Sequence, residues 1–131
     1  MVVLDTDIIV AFLRGQDDVV KKIRELYENG IPISTASITA FELFKGAYGS
    51  THPEKKADDI EILLEDLNIL YFDMKSSRIA GKIYSQLKKE GKLIDILDQF
   101  IASIAIANNE KIITRNVKHF SHISNVTIDK W

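Results

Sequence analysis

The sequence predicts an α/β fold, a three-layer α/β/α sandwich around a parallel sheet of roughly five strands. Short runs of β-branched and apolar residues recur along the chain, and segments with helical spacing of apolar residues separate them. This alternation implies crossover connections, which place helices on both faces of a parallel sheet. No linker, repeat or low-complexity tract interrupts the pattern, so residues 1–131 are expected to form a single domain.

The first half of the chain is predicted to hold two strands and four helices. VVL is a buried strand without polar alternation, and IPIST is a second strand with its proline at the start. Asp5 and Thr6 supply capping side chains for the first helix, and Thr35 or Ser37 caps the third. The expected bounds are 2–4 and 31–35 for the strands, and 7–14, 17 or 18 to 28, 37–49 and 53–66 for the helices.

Two of these helices show an apolar stripe at helical spacing, which predicts the face turned to the core. The stripes consist of Val19, Val20, Ile23, Leu26 and Tyr27 in the second helix, and of Ile38, Phe41, Phe44 and Tyr48 in the third.

The second half continues the alternation with three strands and two helices. NILYF and KIIT are strands, VTI is a weaker one, and Asp73 and Asp95 stand where they would cap the helices. The expected bounds are 68–72, 111–114 and 126–128 for the strands, and 75–90 and 95–108 for the helices.

Composition excludes several classes of protein. The chain has no cysteine, which rules out disulfides, zinc–thiolate sites and thiol nucleophiles, so any metal must be held by oxygen or nitrogen. No apolar run approaches the roughly 18 residues of a membrane span, and no basic segment precedes an apolar leader, so a cytoplasmic protein is expected.

The net charge of −2 provides no overall field that would attract a nucleic acid. An RNA partner would have to be steered by local basic runs, and such runs are more often the solvated faces of helices. Three candidates are present, at 21–22, 55–56 and 88–92.

Polar side chains follow two of the predicted strands at their carboxyl ends, where sites form in open parallel sheets. Asp5 ends the first strand, and Thr114, Arg115 and Asn116 end the fourth. Glu42, on the helix after the second strand, and Asp98, in the first turn of the helix before the fourth, can reach the same edge.

Each of these residues also has a purely structural interpretation. Asp5 is a potential helix cap, Glu42 a surface partner of Lys45, and Asp98 a first-turn acid favoured by the helix dipole. Asp7 is either a first-turn acid or a partner of the site, and Thr6 is expected to cap the first helix. Thr114 is expected to bond a site carboxylate, and Arg115 either contacts a phosphate or serves as a counter-charge. The three histidines are expected to face solvent: His52, His119 and His122.

Three segments, VVLDTDII, TASITAFELFKGA and LIDILDQFIASIAIANNEKIITRNVKHF, together resemble the PIN-domain family, in particular the small VapC-type ribonuclease toxins. The resemblance spans essentially the whole chain. It implies a metal-dependent ribonuclease with Asp5, Glu42 and Asp98 as catalytic, metal-binding acids and Asn116 in place of a fourth acid. It also implies an RNA substrate, a cognate antitoxin and a homodimer.

Electrostatics agrees with this inference. Three carboxylates within about 5 Å of one another repel by roughly 3 kcal/mol per pair at an effective dielectric of 20, so such a site needs a cation. Oxygen ligands without thiols select Mg²⁺ or Mn²⁺.

Two other functions are compatible with the sequence. One is a receiver-like signalling domain in which acids hold Mg²⁺ beside Asp73 as phospho-acceptor. The other is a non-catalytic PIN scaffold that binds RNA or protein, which Asn116 keeps open.

Overall fold

Five strands form one parallel sheet in the computed structural model, which describes residues 1–131, and their order is β3-β2-β1-β4-β5. The central strand β1 pairs with β2 on one side and β4 on the other, so that Val3 lies opposite Ser34 and Ile112. The bounds are Val2–Leu4 for β1, Ile33–Ala36 for β2, Asn68–Leu70 for β3, Lys111–Thr114 for β4 and Ile128–Lys130 for β5.

Seven helices cover the two faces of the sheet, as the alternating pattern predicts. Successive residues of a strand point to opposite faces, so Val2 and Leu4 join one core cluster and Val3 joins the other. The first four helices cover one face, and the last three cover the other. Their bounds are Thr6–Leu13 for α1, Asp17–Glu28 for α2, Ser37–Tyr48 for α3, Pro53–Glu65 for α4, Met74–Lys89 for α5, Ile96–Ala107 for α6 and Val117–Phe120 for α7.

The strand order places a switch point at the centre of the sheet. From β1 the chain adds β2 and β3 towards one edge and then adds β4 and β5 towards the other. The carboxyl ends of β1 and β4 therefore flank the crevice in which ligands bind in open parallel sheets. Asp5 follows one of these strands, and Arg115 follows the other.

Several predicted ends of elements are wrong. β2 is Ile33–Ala36 instead of 31–35, and β3 is Asn68–Leu70 instead of 68–72. The last strand is Ile128–Lys130 instead of 126–128, because a single-turn helix, α7, and the loop after it occupy more of the chain than expected. Neither Thr35 nor Ser37 caps α3: its N-cap is Ala36, since the Thr35 hydroxyl donates to the Leu4 carbonyl (2.8 Å) and the Ser37 hydroxyl accepts from the Phe72 amide.

The predicted stripe of α3 is also wrong for its two outer aromatic residues. Phe41 and Tyr48 are 54% and 57% exposed. The face that is buried instead is the row of smaller residues at i, i+4 spacing, Thr39, Leu43 and Ala47. In α2, Tyr27 departs from its predicted stripe in the same way, at 79% exposed, while Val19 is fully buried.

None of the helices is long and apolar enough to cross a membrane.

Candidate active site

A polar cavity of about 420 Å³ opens at the carboxyl edge of the sheet, beside the ends of β1 and β4. It brings together the three acids expected from the sequence and one more. The side chains that give it its chemistry are Asp5, Asp7, Glu42, Asp98, Arg115 and Asn116.

Asp5 is both the cap of α1 and a member of this cavity. Its Oδ1 accepts the backbone N–H of Thr6 at 2.8 Å, and its Oδ2 accepts the hydroxyl of Thr114 at 2.7 Å. Only 4% of the residue is exposed. The two interpretations left open by the sequence are thus compatible, because one oxygen caps the helix and the other is held in the site.

The pKa of the Asp5 carboxyl is raised to about 7, chiefly because the carboxyl is buried; the charges of Asp7 and Asp98 also raise it, and the hydrogen bonds from Thr114 and Thr6 oppose the shift. A carboxyl that is costly to ionise in isolation is one that a cation would stabilise.

Glu42 is fixed by Thr6. The Thr6 hydroxyl donates to Glu42 Oε1 at 2.7 Å and lies 3.1 Å from the hydroxyl of Thr39. The prediction that Thr6 caps the first helix is therefore wrong. Thr6 is the first residue of α1, and its hydroxyl donates to Glu42. Lys45 does not pair with Glu42; its Nζ lies 5.7 Å from the centre of the Phe41 ring.

Asp98 is held by a histidine for which the sequence predicts a solvent-facing role. His119 Nδ1 lies 2.7 Å from Asp98 Oδ2 and 2.8 Å from the side-chain nitrogen of Asn116. Burial raises the pKa of the Asp98 carboxyl, and the contact with His119 opposes that shift. Asn116 and His119 are three residues apart, a spacing that brings side chains together only in a helix. Because the sequence does not predict the short helix α7, it does not predict this contact either.

Asp7 is an acid in the first turn of α1 and also lines the cavity, so both positions left open by the sequence are occupied at once. Its Oδ2 accepts the backbone N–H of Arg115 at 3.0 Å, and its Oδ1 is buried without a hydrogen-bond partner. The Arg115 guanidinium turns to the other wall of the cavity, where it donates to Gln16 (2.7 Å) and to Asp18 (3.1 Å).

Thr114 links the two strand ends. Its hydroxyl donates to Asp5 Oδ2, as predicted for a residue that bonds a site carboxylate, and accepts the backbone N–H of Asn116 at 2.9 Å. This single hydroxyl therefore links Asp5, which follows β1, to the backbone of Asn116, which follows β4.

The donor set of the cavity suits a hard divalent cation. All four acids offer oxygen, and the unpartnered Oδ1 of Asp7 is a free ligand atom. As placed, no three acidic or histidine side chains form a group that could hold one ion. Each of Asp5, Glu42 and Asp98 is engaged instead by a hydrogen bond from the protein.

Asp73 and Asp95 act as helix caps, as predicted. Asp73 accepts the backbone N–H of Ser76 at 2.9 Å, and Asp95 accepts that of Leu97 at 2.8 Å. Neither lines the acidic cavity. The strand order also differs from the 2-1-3-4-5 order of flavodoxin-like receivers, so the fold and the placement of Asp73 both speak against a phospho-acceptor.

Comparison with known proteins gives a consistent result. The PIN domain family model matches residues 2–126. Ribonuclease VapC1 of Haemophilus influenzae is 34% identical over 129 residues, which are 98% of this chain and 96% of that protein. The tRNA(fMet)-specific endonuclease VapC of Shigella flexneri is 27% identical over 128 residues, 98% and 96% of the two chains.

Solved structures agree in fold over the full length. A chain in the structure of VapBC2 from Rickettsia felis, bound to a DNA fragment from its promoter, matches with a TM-score of 0.91 and 32% identity over 100% of this chain and 99% of that one. A chain of VapBC-1 from nontypeable Haemophilus influenzae matches with a TM-score of 0.89 and 32% identity, covering 100% and 98%. The chain therefore belongs to the PIN-domain family and, within it, to the VapC ribonucleases.

Proposed function

We propose that this protein is an endoribonuclease that hydrolyses RNA phosphodiester bonds with Mg²⁺ or Mn²⁺, and that it is the toxin of a VapBC-type toxin–antitoxin pair. The observation that carries the proposal is the cavity at the switch point of the sheet, lined by four acids of which Asp5 is buried with a raised pKa. The names of its relatives, a ribonuclease and an endonuclease, support the same chemistry.

The cation would be held by Asp5, Glu42 and Asp98, with Asn116 at the margin of the site. A divalent cation there supplies Lewis-acid activation of the phosphodiester and of the attacking water. Asn116 adds no charge, so the three proposed ligand carboxylates and one Mg²⁺ sum to −1, from −3 and +2, and Asp7, which accepts the backbone N–H of Arg115, is the one further negative charge in the cavity. We therefore expect one ion to bind firmly and a second, if one is used, to need ligands from the substrate phosphate.

The chain's own side chains supply the orientation. Thr114 and the backbone N–H of Thr6 fix both oxygens of Asp5, the Thr6 hydroxyl fixes Glu42, and His119 fixes Asp98. Each acid thus reaches the site with little rotamer freedom left to lose, which favours precise placement of a phosphate.

The same cavity explains how a partner would silence the enzyme. A concave cluster of acids attracts Arg or Lys from another protein as readily as it attracts a metal ion. We expect the cognate antitoxin to bind beside the acids and place a cationic side chain among them, and we expect the protein to form a homodimer as its family implies.

The test is cleavage of single-stranded and transfer RNA by the purified protein with Mg²⁺ or Mn²⁺, and with EDTA. We expect cleavage only with the metal, and loss of cleavage in Asp98→Asn, which keeps the shape of the side chain and removes one charge. Asp17→Asn is the matched control, since this acid also stands in the first turn of a helix, is exposed and lies outside the cavity. A wild-type protein that binds RNA and never cleaves it would favour the non-catalytic scaffold instead.

A further inference from the structure

We propose that a basic groove beside Asp98, lined by Lys92, Lys118 and His122, binds the phosphates of the RNA strand that flank the scissile bond. The inference rests on the proposed ribonuclease function and adds the surface that positions the substrate. Lys92 ends the basic run 88–92, and no residue of that run lines the acidic cavity.

The groove has a volume of about 490 Å³ and lies between the loop that joins α5 to α6 and the short helix α7. It adjoins the acidic cavity through one contact: His119 lines the groove, Asp98 lines the cavity, and the two side chains are 2.7 Å apart. A strand whose scissile phosphate sits among the acids can therefore continue directly into the groove.

The charges of the groove are of the sign that a phosphate backbone requires. Lys92 and Lys118 are both exposed, and neither takes part in an ion pair within the protein. Asp95 is the only acid in the lining, and its Oδ1 already accepts a backbone N–H at the start of α6. Because the whole chain carries −2 and the cleft is acidic, RNA needs such a local cationic surface to approach.

The other neighbour of the acidic cavity is a poorer candidate for RNA. It is a cavity of about 440 Å³ between α1, α3 and α4, in which Arg14 and Lys56 are balanced by Glu42 and Asp59. Nearly half of its lining is hydrophobic. A surface without net charge and with apolar side chains suits a polypeptide better than a phosphate backbone.

The experiment compares two double variants that carry the same net charge. Lys92→Gln with Lys118→Gln removes the proposed phosphate contacts, and Lys21→Gln with Arg24→Gln removes two exposed cations of α2, on the opposite face of the sheet. Each pair takes the net charge from −2 to −4, because two positive charges are lost. A third protein, Lys92→Arg with Lys118→Arg, keeps the charge in the groove.

The readouts are KM and kcat for a single-stranded RNA with Mn²⁺ at several salt concentrations. Two phosphate contacts on a single strand contribute about −1.4 to the slope of log affinity against log salt concentration. At roughly 0.1 M salt, this contribution strengthens RNA binding by about 25-fold relative to its value at about 1 M salt. We expect KM of the groove variant to be about 25-fold higher than that of the wild type, and its salt dependence to be weaker by a slope of about 1.4. We expect kcat to stay within about twofold, because these contacts bind the ground state and the transition state equally. The α2 control and the arginine variant should behave as the wild type does.

An unchanged KM in the groove variant, or an equal rise in the α2 control, overturns the inference. The dissociation constant of the same RNA, measured by fluorescence anisotropy, separates this result from a failure of the proposed function. If the wild type binds RNA without cleaving it, the nuclease proposal fails and the difference between the two double variants still decides about the groove. If the wild type does not bind RNA at all, both proposals are wrong.

Discussion

Asp5 answers, at the scale of one residue, why an acid follows the central strand directly. One of its oxygens ends the strand and starts α1, and the other is held by Thr114 inside the site. The cost of this placement is a buried carboxyl whose pKa is raised to about 7, because water is excluded and Asp7 and Asp98 lie nearby. A buried carboxyl at the switch point that destabilises the metal-free fold when ionised is what the proposed cation site requires of Asp5.

The raised pKa of Asp5 predicts that the metal-free protein loses stability as the pH rises from about 4 to about 7. In this window the unfolded chain has already released the proton of Asp5 and the folded chain still holds it, so the free energy of unfolding falls with pH, by on the order of 4 kcal/mol in total. Chemical denaturation in EDTA at pH 5 and pH 7.5 measures the part of this difference that falls above pH 5. Asp5→Asn should remove most of it, and an identical pH slope in variant and wild type would show that Asp5 does not titrate in this way.

The hydrogen bond between His119 and Asp98 predicts that substitutions of His119 change the affinity for Mn²⁺. His119→Phe keeps the ring and removes the contact with Asp98, so we expect Mn²⁺ affinity to fall by roughly 10- to 100-fold, the usual effect of removing a group that orients a metal ligand. His119→Asn, whose side-chain nitrogen can take the place of Nδ1, should restore part of the affinity. The measurement is calorimetric titration with Mn²⁺; equal affinities in all three proteins would reduce His119 to a surface residue.

The helices show, at the scale of elements, that an acid that only caps a helix differs in its surroundings from an acid that lines the cavity. Asp73 and Asp98 are both acids at the start of a helix. The backbone and side chain of Ser76 bond to Asp73 and lower its pKa, whereas burial raises the pKa of Asp98. The sequence pattern singles out both, but only the packing of the neighbouring elements decides which of the two stands in the cavity.

Asp73→Ala is therefore predicted to lower the stability of the protein without changing its activity. The loss should appear as a lower denaturation midpoint at pH 7 and should shrink as the pH falls through the lowered pKa of Asp73, because protonation removes the cap in the wild type as well. Rates of RNA cleavage, measured at a temperature where both proteins are folded, should be equal. A loss of cleavage in folded Asp73→Ala would reopen a functional role for this acid.

α3 and α7 show why some elements are harder to predict than others. In α3 the aromatic residues are the most hydrophobic, and their periodicity favours a buried position, yet Phe41 and Tyr48 lie outside because Leu43 and Ala47 fit against the neighbouring helices. α7 is one turn long, too short for any periodic signal. For that reason alone, the sequence does not reveal the contact of His119 with the site.

The whole molecule follows from local patterns to a large extent. The apolar run VVL and the β-branched run IIT predict strands buried on both faces, and the carboxyl ends of the strands in a parallel sheet lie at one edge. That arrangement places Asp5, Thr114 and Asn116 on the same edge, and the pairing of β1 with β4 brings them into contact. The strand order, by contrast, depends on packing between distant segments. Local patterns therefore allow Glu42 and Asp98 to reach that edge, and only the structure shows that they do.

The central claim is that the acids at the switch point form a site for a divalent cation that serves RNA cleavage. Calorimetric titration of Mn²⁺ into the wild type, Asp98→Asn and Asp95→Asn at pH 7.5 tests it most directly. We predict saturable binding by the wild type and by Asp95→Asn, whose amide still caps α6, and at least tenfold weaker binding by Asp98→Asn. Equal Mn²⁺ binding by Asp98→Asn and the wild type, or no binding by any of the three proteins, would contradict the account.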